Sequence, residues 1–179
     1  MSDFRVIESE TILTSYVFSV ERRTILGPSG QFERDVVVHA GAVAVVAVDT
    51  TGRVALLSQY RAPLERVNLE IPAGTCDIAG EDALATAKRE LLEEIGGTSE
   101  HWRQIAHFYN SSGWTNQETK VFLAEQCEIG VSAPEGPEET SMAVNWFGVD
   151  EVKELLSNGQ AFDGTATIGL YAWLAIQGS

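Results

Sequence analysis

Apolar and polar positions change rhythm along the chain, and each change marks an element. From Phe4 to Glu33 the alternation is weak, with Val6, Ile12, Leu13, Tyr16, Phe18 and Val20 set among polar residues. It predicts two or three strands with a turn at Gly27-Pro28-Ser29-Gly30. Arg34 to His39 then leads into Gly41–Val48, a run apolar at consecutive positions, as a strand covered on both faces requires. Asp49-Thr50-Thr51-Gly52 predicts a hairpin turn, with Arg53 to Arg61 as the returning strand. A short strand through Leu69-Glu70-Ile71 enters Pro72-Ala73-Gly74, and a loop through Asp77, Gly80 and Glu81 opens a helix that stops at Gly96-Gly97. Beyond it, strands over Gln104–Tyr109 and Thr119–Ala124 flank a loop from Asn110 to Glu118. A Gly/Pro/Glu-rich loop, Ile129 to Ser141, precedes a last strand over Met142–Val149. Two helices close the chain: Asp150, as cap, through Leu156, and an amphipathic one from Asp163 to Leu174. Strands and helices mix without regular βαβ alternation, so the fold class is α+β with a mixed sheet.

The helix ending at Gly96-Gly97 carries Arg89-Glu90-Leu91-Leu92-Glu93-Glu94. Glu81 and Asp82 stand at its start, where the helix dipole favours acidic groups. At about 100° per residue, Glu90, Glu93 and Glu94 share one arc with small Ala83 and Ala87 beside them. Leu84, Leu91, Leu92 and Ile95 are expected on the opposite, core-facing side. Three carboxylates so close repel one another, and a hard divalent cation such as Mg²⁺ or Mn²⁺ relieves the conflict. Arg89 reaches Glu93 one turn on. A solvated acidic face is the alternative, but a strand ending in Pro-Ala-Gly, a tight loop and an acidic helix make a better metal platform.

At 179 residues the chain suits one domain with a substantial core, and its apolar and charged fractions are those expected of a soluble globular protein. No apolar run reaches membrane-spanning length, and Met1-Ser2-Asp3-Phe4 begins nothing like a signal peptide. Cys76 and Cys127 show no metal-ligand spacing, so a reducing cytoplasm is the expected compartment. His39 reads as a sheet residue, with no second His or Cys nearby. The net charge of −14 argues against nucleic acid or an anionic membrane as partner. An anionic small molecule would need a cation or arginines to meet it.

From Glu81 onward, seven residues and then Arg89-Glu90-Leu91-Leu92-Glu93-Glu94-Ile95-Gly96 resemble the Nudix box in register. Two departures show: Gly74 stands six residues before Glu81 instead of five, and Gly97 replaces an apolar residue. The longer loop resembles a variant of ADP-ribose pyrophosphatases, and Gln59-Tyr60-Arg61 followed by Pro63 resembles another element of that group. The resemblance implies a Nudix α/β/α sandwich with mixed sheet over 36–179. It also implies a small N-terminal antiparallel sheet over 1–35 for homodimerisation and for gripping the adenine end. It implies metal (Mg²⁺ or Mn²⁺) at Ala73, Glu90 and Glu94, with Glu93 holding metal or water. A base is implied on the loop at Glu138 or Glu139, and substrate contacts at Arg34, Arg61, Glu70, Ser112 and Trp114. Guanidinium at Arg61 suits phosphate oxygens, although an arginine ending a strand also pairs with a nearby Glu. Trp114 could stack on a base or roof the core.

The reaction implied is hydrolysis of a nucleoside diphosphate linked to another moiety, first ADP-ribose to AMP and ribose 5-phosphate. Ser111-Ser112-Gly113 lacks the proline usual in that group, and Gln117 stands where an acidic residue aligns, with Glu118 displaced by one. These changes keep a nucleotide sugar such as GDP-mannose or UDP-glucose as alternative. A non-catalytic binding or regulatory module of the same fold would be expected to lose the carboxylates that are kept here. A housecleaning enzyme for oxidised nucleotides would be expected to lack the Pro-Ala-Gly and Gln-Tyr-Arg elements.

Overall fold

The computed structural model describes residues 3–132, 141–158 and 162–178. The chain forms two compact units, Met1–Gly41 with Tyr109–Glu118, and Ala42–Phe108 with Thr119–Ser179. The boundary expected between residues 35 and 36 falls inside a strand whose ladder runs unbroken to His39.

The first unit is an antiparallel sheet of β1 (Arg5–Thr14), β2 (Phe18–Gly27) and β3 (Gly30–His39), in that order. The expected turn lies between β2 and β3, where Gly27 pairs with Gly30 and Gly30 has φ of +119°. Every residue of β1 is exposed. The segment from Tyr109 to Glu118 belongs here because hydrogen bonds pin it to β3. The Val37 N–H donates to the Trp114 carbonyl (2.8 Å), the Thr115 hydroxyl to the Val37 carbonyl (2.9 Å), and the His39 N–H to Asn116 Oδ1 (2.9 Å). His39 itself is a sheet residue; its Nδ1 accepts from the Gly41 N–H at 3.0 Å, and burial pushes its pKa down.

The second unit holds β4 (Ala42–Asp49), β5 (Val54–Arg61), β6 (Arg66–Glu70), β7 (Ala73–Thr75), α1 (Ala83–Ile95) and β8 (Gly97–Thr98). It continues through most of β9 (His101–Tyr109) and β10 (Glu118–Ile129), then β11 (Ala143–Phe147), α2 (Val149–Ser157) and α3 (Gly164–Gln177). The sheet runs β11-β5-β4-β10-β8, with β6 on β5, β7 on β4 and β9 on β10. β4 pairs parallel with β10 and antiparallel with β5 and β7, so the sheet is mixed as expected.

Two-residue alternation explains the layers. Ala44, Val46 and Val48 pack with Leu56, Leu123, Val152, Leu170 and Trp173, on the side of α2 and α3. Val43, Val45 and Ala47 pack with Leu57, Phe122, Ala87, Leu91 and Ile95, on the side of α1. The result is the α/β/α sandwich that the resemblance implied.

Three expectations need correcting. β10 continues past Ala124 because a register shift before Cys127, with Gln126 at φ of +55°, absorbs the break. α2 is not capped by Asp150, whose side chain is 95% exposed and meets Lys153; Glu151 accepts from the Gly148 N–H at 2.7 Å instead. α3 is capped by Asp163, which accepts from the Ala166 N–H at 2.6 Å, but it is not cleanly amphipathic. Its inner face buries Thr165, Ala166, Gly169, Leu170 and Trp173, while Ile168 and Tyr171 are exposed on the outer one.

Candidate active site

Helix α1 is fixed at both ends by its own sequence. Asp82 accepts from the Ala85 N–H at 2.9 Å, and Gly96, at φ of +66°, lets its N–H return to the Leu92 carbonyl at 2.9 Å. Gly97, where an apolar residue was expected, is a packing necessity. A Cβ there would lie 2.9 Å from Leu91 Cγ and 3.2 Å from Ile95 Cγ1.

The division of α1 into core and acidic faces holds only in part. Ala87, Leu91 and Ile95 are buried, but Leu92 is 49% exposed. Counting about 100° per residue centres the buried stripe between Ala87 and Leu91, which turns Leu92 outward and puts Glu94 on the stripe's shoulder. Glu94 is therefore only 5% exposed. The three carboxylates do not share one exposed arc: the Glu90 side chain is 14% exposed and that of Glu93 30%.

Strand β7 and α1 explain one another. Glu94 accepts from the Ala73 N–H at 3.0 Å. Glu90 fills the space beside Gly74; a Cβ on residue 74 would collide with the Glu90 carboxyl carbon. Arg89 ties the set together, donating to Glu90 (2.8 Å), Glu93 (3.1 Å) and Glu81 (3.4 Å). Burial alone would make Arg89 easier to deprotonate, but the bond to Glu81 and the charges of Glu90 and Glu93 push its pKa up instead. Ala73, Gly74, Thr75, Asp77, Arg89, Glu90 and Glu93 line a polar recess of about 250 Å³. Sequence reasoning did not assign Thr75, Gly74 or Asp77 to the site; their place within the loop to α1 was the available signal.

Among the described residues, no three His, Cys, Asp or Glu side chains form a group that could hold a metal by themselves. The donor chemistry still fits Mg²⁺, which keeps several waters and takes one or two carboxylates besides substrate phosphates. Glu90, Glu94 and the Ala73 carbonyl are hard oxygen donors of that kind. Gly74 supplies the cradle, since only a residue without a side chain lets Glu90 fold there.

Arg61 and Glu70 also lie in the second unit. Both Glu70 oxygens accept from Arg61: Nε to Oε1 at 2.9 Å and to Oε2 at 3.1 Å, and Nη2 to Oε2 at 2.6 Å. Asn68 adds a bond to Glu70 Oε1 at 3.3 Å. Asp163 belongs to this charged set, which the sequence did not reveal. Burial first, then the Glu70 charge, pushes its carboxyl pKa up, while Arg61 and the Ala166 N–H oppose the rise.

Arg34, Ser112 and Trp114 gather in the first unit instead. They line a mainly apolar recess of about 440 Å³ that also includes Phe4 and Phe32. The Arg34 guanidinium lies 4.7 Å from the Phe32 ring centroid. Trp114 is 56% exposed, so it roofs no core. Glu138 and Glu139 lie outside the described residues. The Cys127 thiol is buried and pushed up to about 11 by that burial, which leaves it unreactive.

The family model of the NUDIX domain matches residues 38–167, and the chain belongs to that family as a Nudix hydrolase. Such hydrolases generally use divalent metal ions. The chain is 35% identical over 177 residues to an ADP-ribose pyrophosphatase of Mycobacterium tuberculosis, covering 97% of this chain and 84% of that one. An ADP-ribose pyrophosphatase of Bacillus subtilis is 34% identical over 160 residues, with 89% and 86% covered. The fold matches a solved structure described as an ADP compounds hydrolase at a TM-score of 0.82 and 19% identity, covering 99% and 97%.

Proposed function

We propose that the chain hydrolyses ADP-ribose to AMP and ribose 5-phosphate with Mg²⁺ or Mn²⁺ bound. The observation that carries the chemistry is the Arg89-organised carboxylate recess between β7 and α1. The substrate rests on the two pyrophosphatase relatives, which align with most of the chain. A divalent ion on Glu90, Glu94 and the Ala73 carbonyl would neutralise charge on the diphosphate.

The protein's own groups do the rest. Arg89 holds Glu90 and Glu93 in fixed orientations, so neither must reorganise during reaction. Glu93, the most exposed of the three, would hold the metal or the attacking water, and a loop glutamate, Glu138 or Glu139, would accept that water's proton. That water forms the new bond to phosphorus as the bridging P–O bond breaks. Arg61 binds a phosphate oxygen of the substrate. In the first unit, the Arg34–Phe32 stack and Trp114 have the chemistry of a platform for a flat base. The exposed apolar side chains of β1, with Val6 53% and Leu13 50% exposed, support a homodimer that covers them. Two cysteines without metal-ligand spacing, Cys76 and Cys127, support a cytoplasmic setting. Among the described residues no helix is long and apolar enough to cross a membrane.

The test is a hydrolysis screen over ADP-ribose, GDP-mannose and UDP-glucose, with products identified and phosphate counted after phosphatase coupling. ADP-ribose is expected to give the highest kcat/KM, AMP as product, and no turnover in EDTA. A higher kcat/KM on either nucleotide sugar would replace the substrate assignment, and undiminished turnover in EDTA would remove the metal.

A further inference from the structure

Glu70 was expected among the substrate contacts, but its surroundings suit another task. It ends β6, and its side chain is 7% exposed with both oxygens engaged by Arg61. Asn68, itself 4% exposed, donates to the same carboxylate. A buried carboxylate is tolerated when a planar fork and further donors compensate its lost hydration. Arg61 is the asymmetric partner, with 36% of its side chain exposed.

The strand register shows that the pair is more than a cross-strand contact. Arg61 stands opposite Arg66, whereas Glu70 stands opposite Leu57, four ladder positions away, or about 13 Å along the strand. The guanidinium is thus drawn away from its own cross-strand neighbour and back along the hairpin. It is held where β6 passes through Ile71 and Pro72 into Ala73, the residue bonded to Glu94. The hairpin does not need the ion pair for its register, which the five-rung ladder already sets. Asp163, at the start of α3, feels both charges, so this end of the sandwich treats the pair as a unit.

We infer that Glu70 is a positioning residue: it fixes the plane and place of the Arg61 guanidinium, so that Arg61 meets a substrate phosphate already oriented. Glu70 itself touches no substrate. The inference rests on the proposed reading that Arg61 binds phosphate.

The experiment compares wild type, Glu70→Gln, Arg61→Lys and the double variant. Each is assayed on whichever nucleoside diphosphate conjugate the wild type hydrolyses, at saturating Mg²⁺, with thermal unfolding measured alongside. Glu70→Gln keeps the size of the side chain, and Arg61→Lys keeps the charge without the planar fork. Each single variant is expected to raise KM about tenfold while kcat changes less than about threefold, as for a contact made equally before and in the transition state. The double variant is expected to match Arg61→Lys, because Glu70 acts only through Arg61.

Normal kinetics in Arg61→Lys would overturn the phosphate reading, and the inference with it. A raised KM in Arg61→Lys beside an unchanged KM in Glu70→Gln would leave the phosphate reading standing and make Glu70 purely structural. Effects that multiply in the double variant would show Glu70 contacting substrate itself. Glu70→Asp, charged but shorter, carries the same comparison if the Gln variant does not fold.

Discussion

In strands β1 to β3 no described residue is buried, whereas in β4 every residue from Val43 to Val48 is shielded. Both segments are rich in β-formers, but they are stabilised differently. The three-stranded sheet rests on its ladders, and its charged pairs, such as Arg22 with Asp35 at 45% and 49% exposure, are solvated and add little. Ladders alone stabilise a small sheet marginally, and a sheet this open requires a covered apolar face. The sandwich places side chains of β4 against helices on both sides, and that burial supplies its stability. Glu90, Glu93 and Glu94 can be held in one arrangement because α1 is packed down through Ala87, Leu91 and Ile95.

The largest effect that tests this contrast is chemical. If the packed unit carries catalysis, Glu93→Gln should lower kcat by about 100-fold or more, roughly 3 kcal/mol, with little change in unfolding temperature. Glu94→Gln should lower both, since Glu94 is buried and bonded to the Ala73 N–H. Steady-state kinetics beside thermal melts separate the two; near-normal turnover in Glu93→Gln would end its catalytic assignment.

Burial itself is tested next. Leu123→Ala removes a fully buried side chain and should cost about 3 kcal/mol in urea unfolding. Ile12→Ala in β1, 43% exposed, should cost under about 1 kcal/mol at low protein concentration. If a second copy covers β1, the Ile12 difference should grow as protein concentration rises. Equal costs at every concentration would erase the contrast between the sheets.

The smallest effect lies in the acid limb. Burial works against ionised Asp49, but bonds from Arg53 and Thr51 outweigh it and hold its pKa at about 2. Arg22 likewise lowers that of exposed Asp35 through a side-chain bond. A carboxylate with depressed folded pKa adds stability above its ordinary value near 4, and that stability fades as pH falls toward the folded pKa. Asp49→Asn should therefore cost on the order of 1–2 kcal/mol at pH 7 and flatten the loss between about pH 4 and pH 2. Asp35→Asn, at a solvated pair, should leave the curve almost unchanged. Urea titrations from pH 7 to pH 2 decide it, and equal effects would place both pairs in the same environment.

The sequence by itself determined the elements whose signals are local. The doubly apolar run through Val48 is the central strand because nothing else hides consecutive apolar residues. Asp82 and Gly96 bound α1 because capping is a matter of a few neighbouring backbone groups. The order of Arg89, Glu90, Glu93 and Glu94 was enough for the family resemblance. Only the tertiary structure decided which way these groups face. Packing of α1 turned Leu92 out and Glu94 in, a difference of a fraction of a helical turn. Close approach between Gly74 and Glu90, and between Gly97 and Leu91, depends on where two elements meet, which no single stretch encodes. The link from Asp163 to Glu70 and Arg61 joins groups far apart in sequence through burial and Coulomb fields. Such coupling exists only once the chain has excluded water from between them.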